Sequence, residues 1–124
     1  SIKFPETHYH ALVFKGNTKY LQGRYSKTLE IQTNVLDKAI ISEDNLKIAH
    51  AQTNLGLTCW KLRKTTLAKE LFEKSLERYE LAKKGANVLS DIANTYINLA
   101  SVTYDLGDME STLKYDLQGL EMNR

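Results

Sequence analysis

Three histidines, one cysteine and a run of glutamates are the side chains of this sequence that could do chemistry. His8 and His10 stand two apart, so on a helix they point about 200° apart and cannot chelate one metal. His50 and Cys59 stand nine apart, which puts them on opposite sides of one helix. A nucleophile and its base must lie within hydrogen-bond reach, so these two do not form a dyad. Cys59 reads instead as an inert core thiol. Glu70, Glu73, Glu77 and Glu80 could pass for a cation site, but interleaved Lys and Arg make them a solvated helix face. Lys61, Arg63, Lys64 and Lys69 form a small basic patch with no interleaved aromatics, too little for nucleic acid. No phosphate loop, nucleophile elbow or metal-ligand cluster is present. The expectation is a non-enzyme with no catalytic, metal or cofactor residues and no cofactor.

The composition agrees. With 42% hydrophobic and 26% charged residues, the 124-residue chain has the balance of one soluble globular domain. A net charge of +2 argues for neither nucleic acid nor a membrane surface. The charge is uneven. Residues 61–84 hold eight Lys/Arg against four Asp/Glu, whereas residues 85–124 hold two against six. A basic helix stacked beside an acidic one explains this. A single cysteine forms no internal disulfide and suits a reducing compartment. No apolar run is long enough for a membrane span, and no leader opens the chain. A cytoplasmic location follows as an expectation. Ser1 and Arg124 read as ends cut from a longer protein.

Any chemistry must be positioned by helices. β-branched alternation is nowhere sustained. In residues 65–84 the apolar set Leu67, Ala68, Leu71, Phe72, Ser75, Leu76, Tyr79 and Ala82 follows a helical period. Glu70–Lys74 and Glu80–Lys84 support its exposed face, and Gly85 reads as its terminator. Pro5 and Glu6 suit the start of a first helix. Six helices are expected, at about 6–21, 25–41, 46–62, 66–84, 88–105 and 109–123. Short turns make neighbours antiparallel, giving three hairpins that must stack to bury their faces. They span 6–41, 46–84 and 88–123 of a single domain, 1–124. An echo links them. Leu21-Gln22-Gly23-Arg24-Tyr25, Leu62-Arg63-Lys64-Thr65 and Leu106-Gly107-Asp108-Met109 occupy equivalent turns. Aromatics Tyr20, Trp60 and Tyr104 recur at intervals of 40 and 44 residues, as do the small residues Gly16, Gly56 and Ala100. With Thr28, Ala68 and Thr112 opposite, these small residues are expected to allow close helix approach.

This pattern resembles the tetratricopeptide repeat, whose motif reads W-x2-L-G-x2-Y, then A-x3-F, then P. The middle unit supplies Leu55-Gly56, Cys59 in the tyrosine slot and Ala68-x3-Phe72. The last supplies Tyr96-x2-Leu99-Ala100-x2-Thr103 with Gly107-Asp108, and the first Leu12-x2-Lys15-Gly16 with Gly23-Arg24-Tyr25. The proline slot holds Ile40, Glu80 and Arg124, so the second helices run on and the repeat is longer than 34 residues. Gln32 and Asp116 replace phenylalanine in the outer units, which weakens their expected cores. The sequence looks like the long-repeat branch found in kinesin light chains, bacterial pheromone-peptide receptors and bacterial signalling proteins. The resemblance implies an all-α fold, a right-handed α-solenoid of three antiparallel hairpins, and a protein- or peptide-binding role.

In that family the first helix of each hairpin lines a concave groove. The motif match then places His10, His50 and Asn94 in one column, and Phe14, Asn54 and Asn98 in a second. Asn17, Leu57 and Ser101 form a third, and Tyr20, Trp60 and Tyr104 a fourth. Asparagine amides carry donor and acceptor and can pair with an extended peptide backbone. Aromatics with polar tips suit a surface wet at its edge. The resemblance therefore implies a binding groove of Asn17, Asn54, Asn98, His50, Asn94, Tyr20, Trp60 and Tyr104. The same amides could instead cap loops or bond neighbouring helices, and helix-spaced aromatics are more often core. The family's chaperone-binding members clamp a carboxylate with a Lys/Asn/Asn/Lys/Arg set. Here Asn17 and Asn54 match, but Val13, Asn94 and Asn98 stand where cations belong, so that clamp is excluded. The expected role is the sensor or scaffold part of a cytoplasmic signalling protein. The alternatives are self-association through the solenoid ends, with Met109, Leu113, Leu117, Leu120 and Met122 as an uncovered face, or the regulatory domain of a nucleotide cyclase or histidine kinase.

Overall fold

A computed structural model describes residues 6–82 and 85–122. Six helices follow one another: α1 (Glu6–Leu21), α2 (Tyr25–Ser42), α3 (Asn45–Lys61), α4 (Thr65–Leu81), α5 (Ala86–Asp105) and α6 (Met109–Met122). No strand occurs among the described residues. Each helix packs on its chain neighbours, so three hairpins stack into a helical solenoid. The expected places of Pro5, Lys84 and Arg124 lie outside the described residues.

The hairpin turns repeat in atomic detail. Gly23, Arg63 and Gly107 all take left-handed φ, of 74°, 65° and 81°. The next amide reaches back to the helix end each time: Arg24 to Lys19 O at 3.0 Å, Lys64 to Cys59 O at 2.8 Å, Asp108 to Thr103 O at 2.9 Å. This six-residue closure satisfies the last helical carbonyls. Glycine takes the conformation freely, whereas Arg63 holds it at a steric cost. Asp44 caps α3 by accepting from the amides of Leu46 and Lys47 at 3.0 and 3.2 Å. Asp108 caps α6 through the Ser111 amide at 3.1 Å. The Ser111 hydroxyl also donates to it, and together these bonds hold its carboxyl below the usual range.

One expected terminator is misplaced. α4 ends at Leu81 with Ala82 in extended backbone. Gly85 lies beyond it with φ −152°, opening α5 rather than closing α4. Extended backbone of that kind is open to any residue, so its conformation does not require glycine.

The core runs along α3. Leu55, Cys59, Ala68, Leu71, Phe72, Leu99 and Val102 form the central cluster, with Leu29 and Leu36 packed on it from the first hairpin. Tyr9, Ile31, Val35, Ala39, Ile48 and Ala51 fill the first interface. Ala49, Tyr79, Val88 and Ile92 fill the third. Cys59 is fully buried, and burial pushes its thiol pKa up, as an inert core cysteine requires. Leu67, expected on the apolar face of α4, is exposed instead. An ion pair on that helix joins Lys69 to Glu73 at 3.5 Å.

The small-residue column is less uniform than its sequence. A Cβ added at Gly56 would meet the Phe72 ring at 2.8, 3.0 and 3.2 Å. At Gly16 it would meet Ile31 and Gln32 at 3.4 and 3.5 Å, an ordinary contact. The difference lies in the facing slot. Phe72 fills it in the second hairpin. Gln32 fills it in the first, buried, and accepts a 2.6 Å hydrogen bond from Thr58 Oγ1. The first unit therefore replaces an aromatic plug with a polar lock between α2 and α3, and its interior stays filled.

Candidate functional site

Among the described residues, three side-chain bridges cross between the first helices of successive hairpins. Lys47 of α3 pairs with Glu6 of α1 and lies 5.0 Å over the Tyr9 ring. His50 Nε2 lies 2.9 Å from Asp91 Oδ2 of α5. Trp60 Nε1–H donates to Asp105 Oδ2 at 2.6 Å. The partners are 41, 41 and 45 residues apart, about one repeat each. Stacking brings equal heights of neighbouring helices together, and polar side chains tie them there.

These bridges decide what the proposed groove residues are free to do. His50 is held by Asp91 and meets the Tyr79 ring edge-on at 5.6 Å, so it serves the α3–α5 seam. Asn94 is exposed on α5, one helical turn beyond Asp91. Asn17 and Asn54 share a narrow pocket with Val13, Gln32, Val35 and Ala51, between α1, α2 and α3. Asn98 is half-buried on α5. Tyr20 stacks edge-to-face on Tyr25 at 5.5 Å and stays within its own hairpin. His10 pairs with Glu6 at 3.4 Å, with both side chains exposed.

Trp60 and Tyr104 come together. They line a cleft of about 370 Å³ with Ala100, Ser101, Asp105, Thr112 and Asp116. Its origin is visible in the repeat register. Ala100, Thr112 and Asp116 are the counterparts of Gly56, Ala68 and Phe72. In the second hairpin Phe72 is fully buried against Gly56. In the third, Asp116 is exposed, and the volume a ring would occupy is open. The hairpin is closed instead by a 2.9 Å contact between the Thr103 and Thr112 hydroxyls. Arg63 and Thr65 line a neighbouring cleft that shares Trp60 and Asp105 with this one.

Asp91, Asp105 and Asp116 are the residues that motif reading missed. Asp116 carried a signal as the departure in the phenylalanine slot. Asp91 and Asp105 carried none, because their partners lie a full repeat away. Among the described residues no group of His, Cys, Asp or Glu could hold a metal ion. No helix there is long and apolar enough to cross a membrane.

Comparison with known proteins agrees with the architecture. The structure is similar to the crystal structure of BtubC (BKLC) from P. vanneervenii, with a TM-score of 0.88 at 14% identity. The match covers 96% of this chain and 48% of that one, so the chain spans about half the neighbour's length. At that identity the likeness speaks for the fold alone. No curated protein matches the sequence. The family model described as tetratricopeptide repeat matches residues 8–80, covering most of the first two hairpins. α5 and α6 continue the same hairpin geometry. With more than half its length matched and every hairpin turn in register, this chain belongs to the tetratricopeptide repeat family.

Proposed function

We propose that this chain is a non-catalytic module that holds a protein or peptide segment along the exposed face of α1, α3 and α5. Repeats of this family generally mediate protein–protein interaction. The observation that carries the reading is the Trp60–Tyr104 cleft, where two aromatic side chains and several polar groups converge on a single concavity. Asn54, Asn94 and Asn98 extend this surface with amides able to pair with an extended backbone. A sensor or scaffold role in a cytoplasmic signalling protein is the context that suits such a module. Regulation of a larger enzyme's output domain would use the same surface. Selection of a displayed library of random peptides tests the reading. Wild-type protein should enrich a common motif, and the Asn54→Ala/Asn98→Ala variant should lose it with an unchanged melting temperature. Equal enrichment by the variant refutes the groove.

A second reading, self-association, is favoured by α6. Met109, Leu113, Leu117 and Leu120 are exposed along one side of it. Leu113 and Leu120 stand in the register of Leu29 and Leu36, which in the first hairpin cover the next core. Met122 does not belong to this stripe, because it packs on the Val88–Ile92 cluster. Sedimentation across concentrations decides, and a monomer throughout excludes association through this face.

A further inference from the structure

We propose that the cleft across the C-terminal half of α5 is a receptor for an arginine side chain of the bound segment. The proposal rests on the reading of this face as a partner-binding surface and gives that surface a ligand chemistry.

The lining is selective by charge. It holds two carboxylates, Asp105 and Asp116, two aromatic rings, Trp60 and Tyr104, and the hydroxyls of Ser101 and Thr112. Among the described residues that line it, none is a cation. The surrounding segment, residues 85–124, carries six Asp/Glu against two Lys/Arg. Arg63 lines an adjoining cleft, which shares Trp60 and Asp105 with this one, and not this cleft itself. A cation entering here meets negative charge on two sides, and an anion meets the same charge as repulsion.

The aromatic groups fix which cation. The Trp60 indole is held by its own N–H, which donates to Asp105 Oδ2 at 2.6 Å. That bond sets the ring plane and engages one of the two carboxylate oxygens. Tyr104 is 62% exposed on α5, with its ring available from solvent. A guanidinium is planar, stacks on aromatic faces and is weakly hydrated, so it gains more from such walls than an ammonium. Its several N–H donors also match two carboxylates and two hydroxyls, where the three donors of a lysine make a point contact. The open volume is the space of the missing phenylalanine ring, which accommodates a flat group of similar size.

The experiment uses Trp60 as its reporter, since it is the chain's only tryptophan. Intact protein is titrated with Ac-Gly-Arg-Gly-NH2, and with the lysine and glutamate peptides of the same design, while Trp60 emission is followed. The arginine peptide should give a saturable change with a dissociation constant on the order of 1–10 mM for so small a ligand. The lysine peptide should bind several-fold more weakly, and the glutamate peptide should give no saturable change. Asp116→Asn should weaken arginine about fivefold or more, and Asp116→Phe should abolish the response by filling the cleft. Asp116 is exposed in the native chain, and circular dichroism confirms that each variant is folded. A glutamate response equal to arginine, no saturable response to arginine, or a folded Asp116→Asn variant that titrates like wild type overturns the proposal. If arginine fails while Asn54→Ala/Asn98→Ala still abolishes peptide selection, the cleft proposal falls and the groove stands. If arginine binds while that double variant selects the same peptides, the cleft stands and the groove falls.

Discussion

Replacing Gly56 with alanine should destabilise this protein, although alanine is the better helix former. Two effects oppose each other. Within a helix, alanine is favoured over glycine by about 1 kcal/mol. Against that, the new methyl would lie 2.8 Å from Phe72 Cε1, 3.0 Å from Cδ1 and 3.2 Å from Cζ. Phe72 is fully buried between α3, α4 and α5, so its ring has no free space to enter. Overpacking of this kind costs about 1–3 kcal/mol, and three simultaneous close contacts place it toward the upper end. The net loss should be about 1–2 kcal/mol, or roughly 4–8 °C in melting temperature for a domain of this size. Gly16→Ala is the matched control. Its methyl would find ordinary contacts at 3.4 and 3.5 Å, so the helix term wins and stability should rise by about 0.5–1 kcal/mol. Urea unfolding of both variants reads the signs directly. A double-mutant cycle with Phe72→Leu isolates the contact, because the smaller side chain should cost markedly less in the Gly56→Ala background than alone. A Gly56→Ala variant as stable as wild type, with no coupling to position 72, would refute the argument that ring contact selects glycine here.

Two further predictions concern single side chains. Tyr79 is buried beside Thr53 and Asp91, and burial pushes its hydroxyl up to about 12. Its folded pKa exceeds the unfolded value of 10, so the stabilisation is complete below pH 10 and is lost as pH rises from 10 through 12. Two units correspond to roughly 2–3 kcal/mol. Stability followed from pH 9 to 12 should fall more steeply in wild type than in Tyr79→Phe, and parallel curves would refute the assignment. Arg63 holds the left-handed position that glycine holds in the other two hairpins. Arg63→Gly should therefore stabilise the chain by about 0.5–1 kcal/mol despite added unfolded-state freedom, and a lower urea midpoint would show that its side chain contributes more than its backbone costs.

Much of the architecture was legible because it is local. Helical periodicity, short turns and two glycines with left-handed φ define six helices through interactions spanning a few residues. The recurrence of Tyr20, Trp60 and Tyr104 then sets the hairpins in register. Gly85 shows where local reading stops. Glycine marks a break in either direction, and only the backbone around Ala82 decides that α4 ends before it and that Gly85 opens α5.

The sequence by itself determined the helices, their turns and the columns of small and aromatic residues, because each follows from 3.6-residue geometry and from turn chemistry. Tertiary structure decided which members of a column matter. A Cβ is crowded at Gly56 and not at Gly16, because one faces a buried ring and the other Ile31 and a glutamine bonded to Thr58. His50 is tied to α5 because stacking brings Asp91, 41 residues on, within 2.9 Å of it. Trp60 entered the cleft because Asp105, a full repeat away, holds its indole in place. Contacts between residues 41 to 45 positions apart depend on how hairpins stack, and no local pattern encodes which side chain will be waiting on the next one.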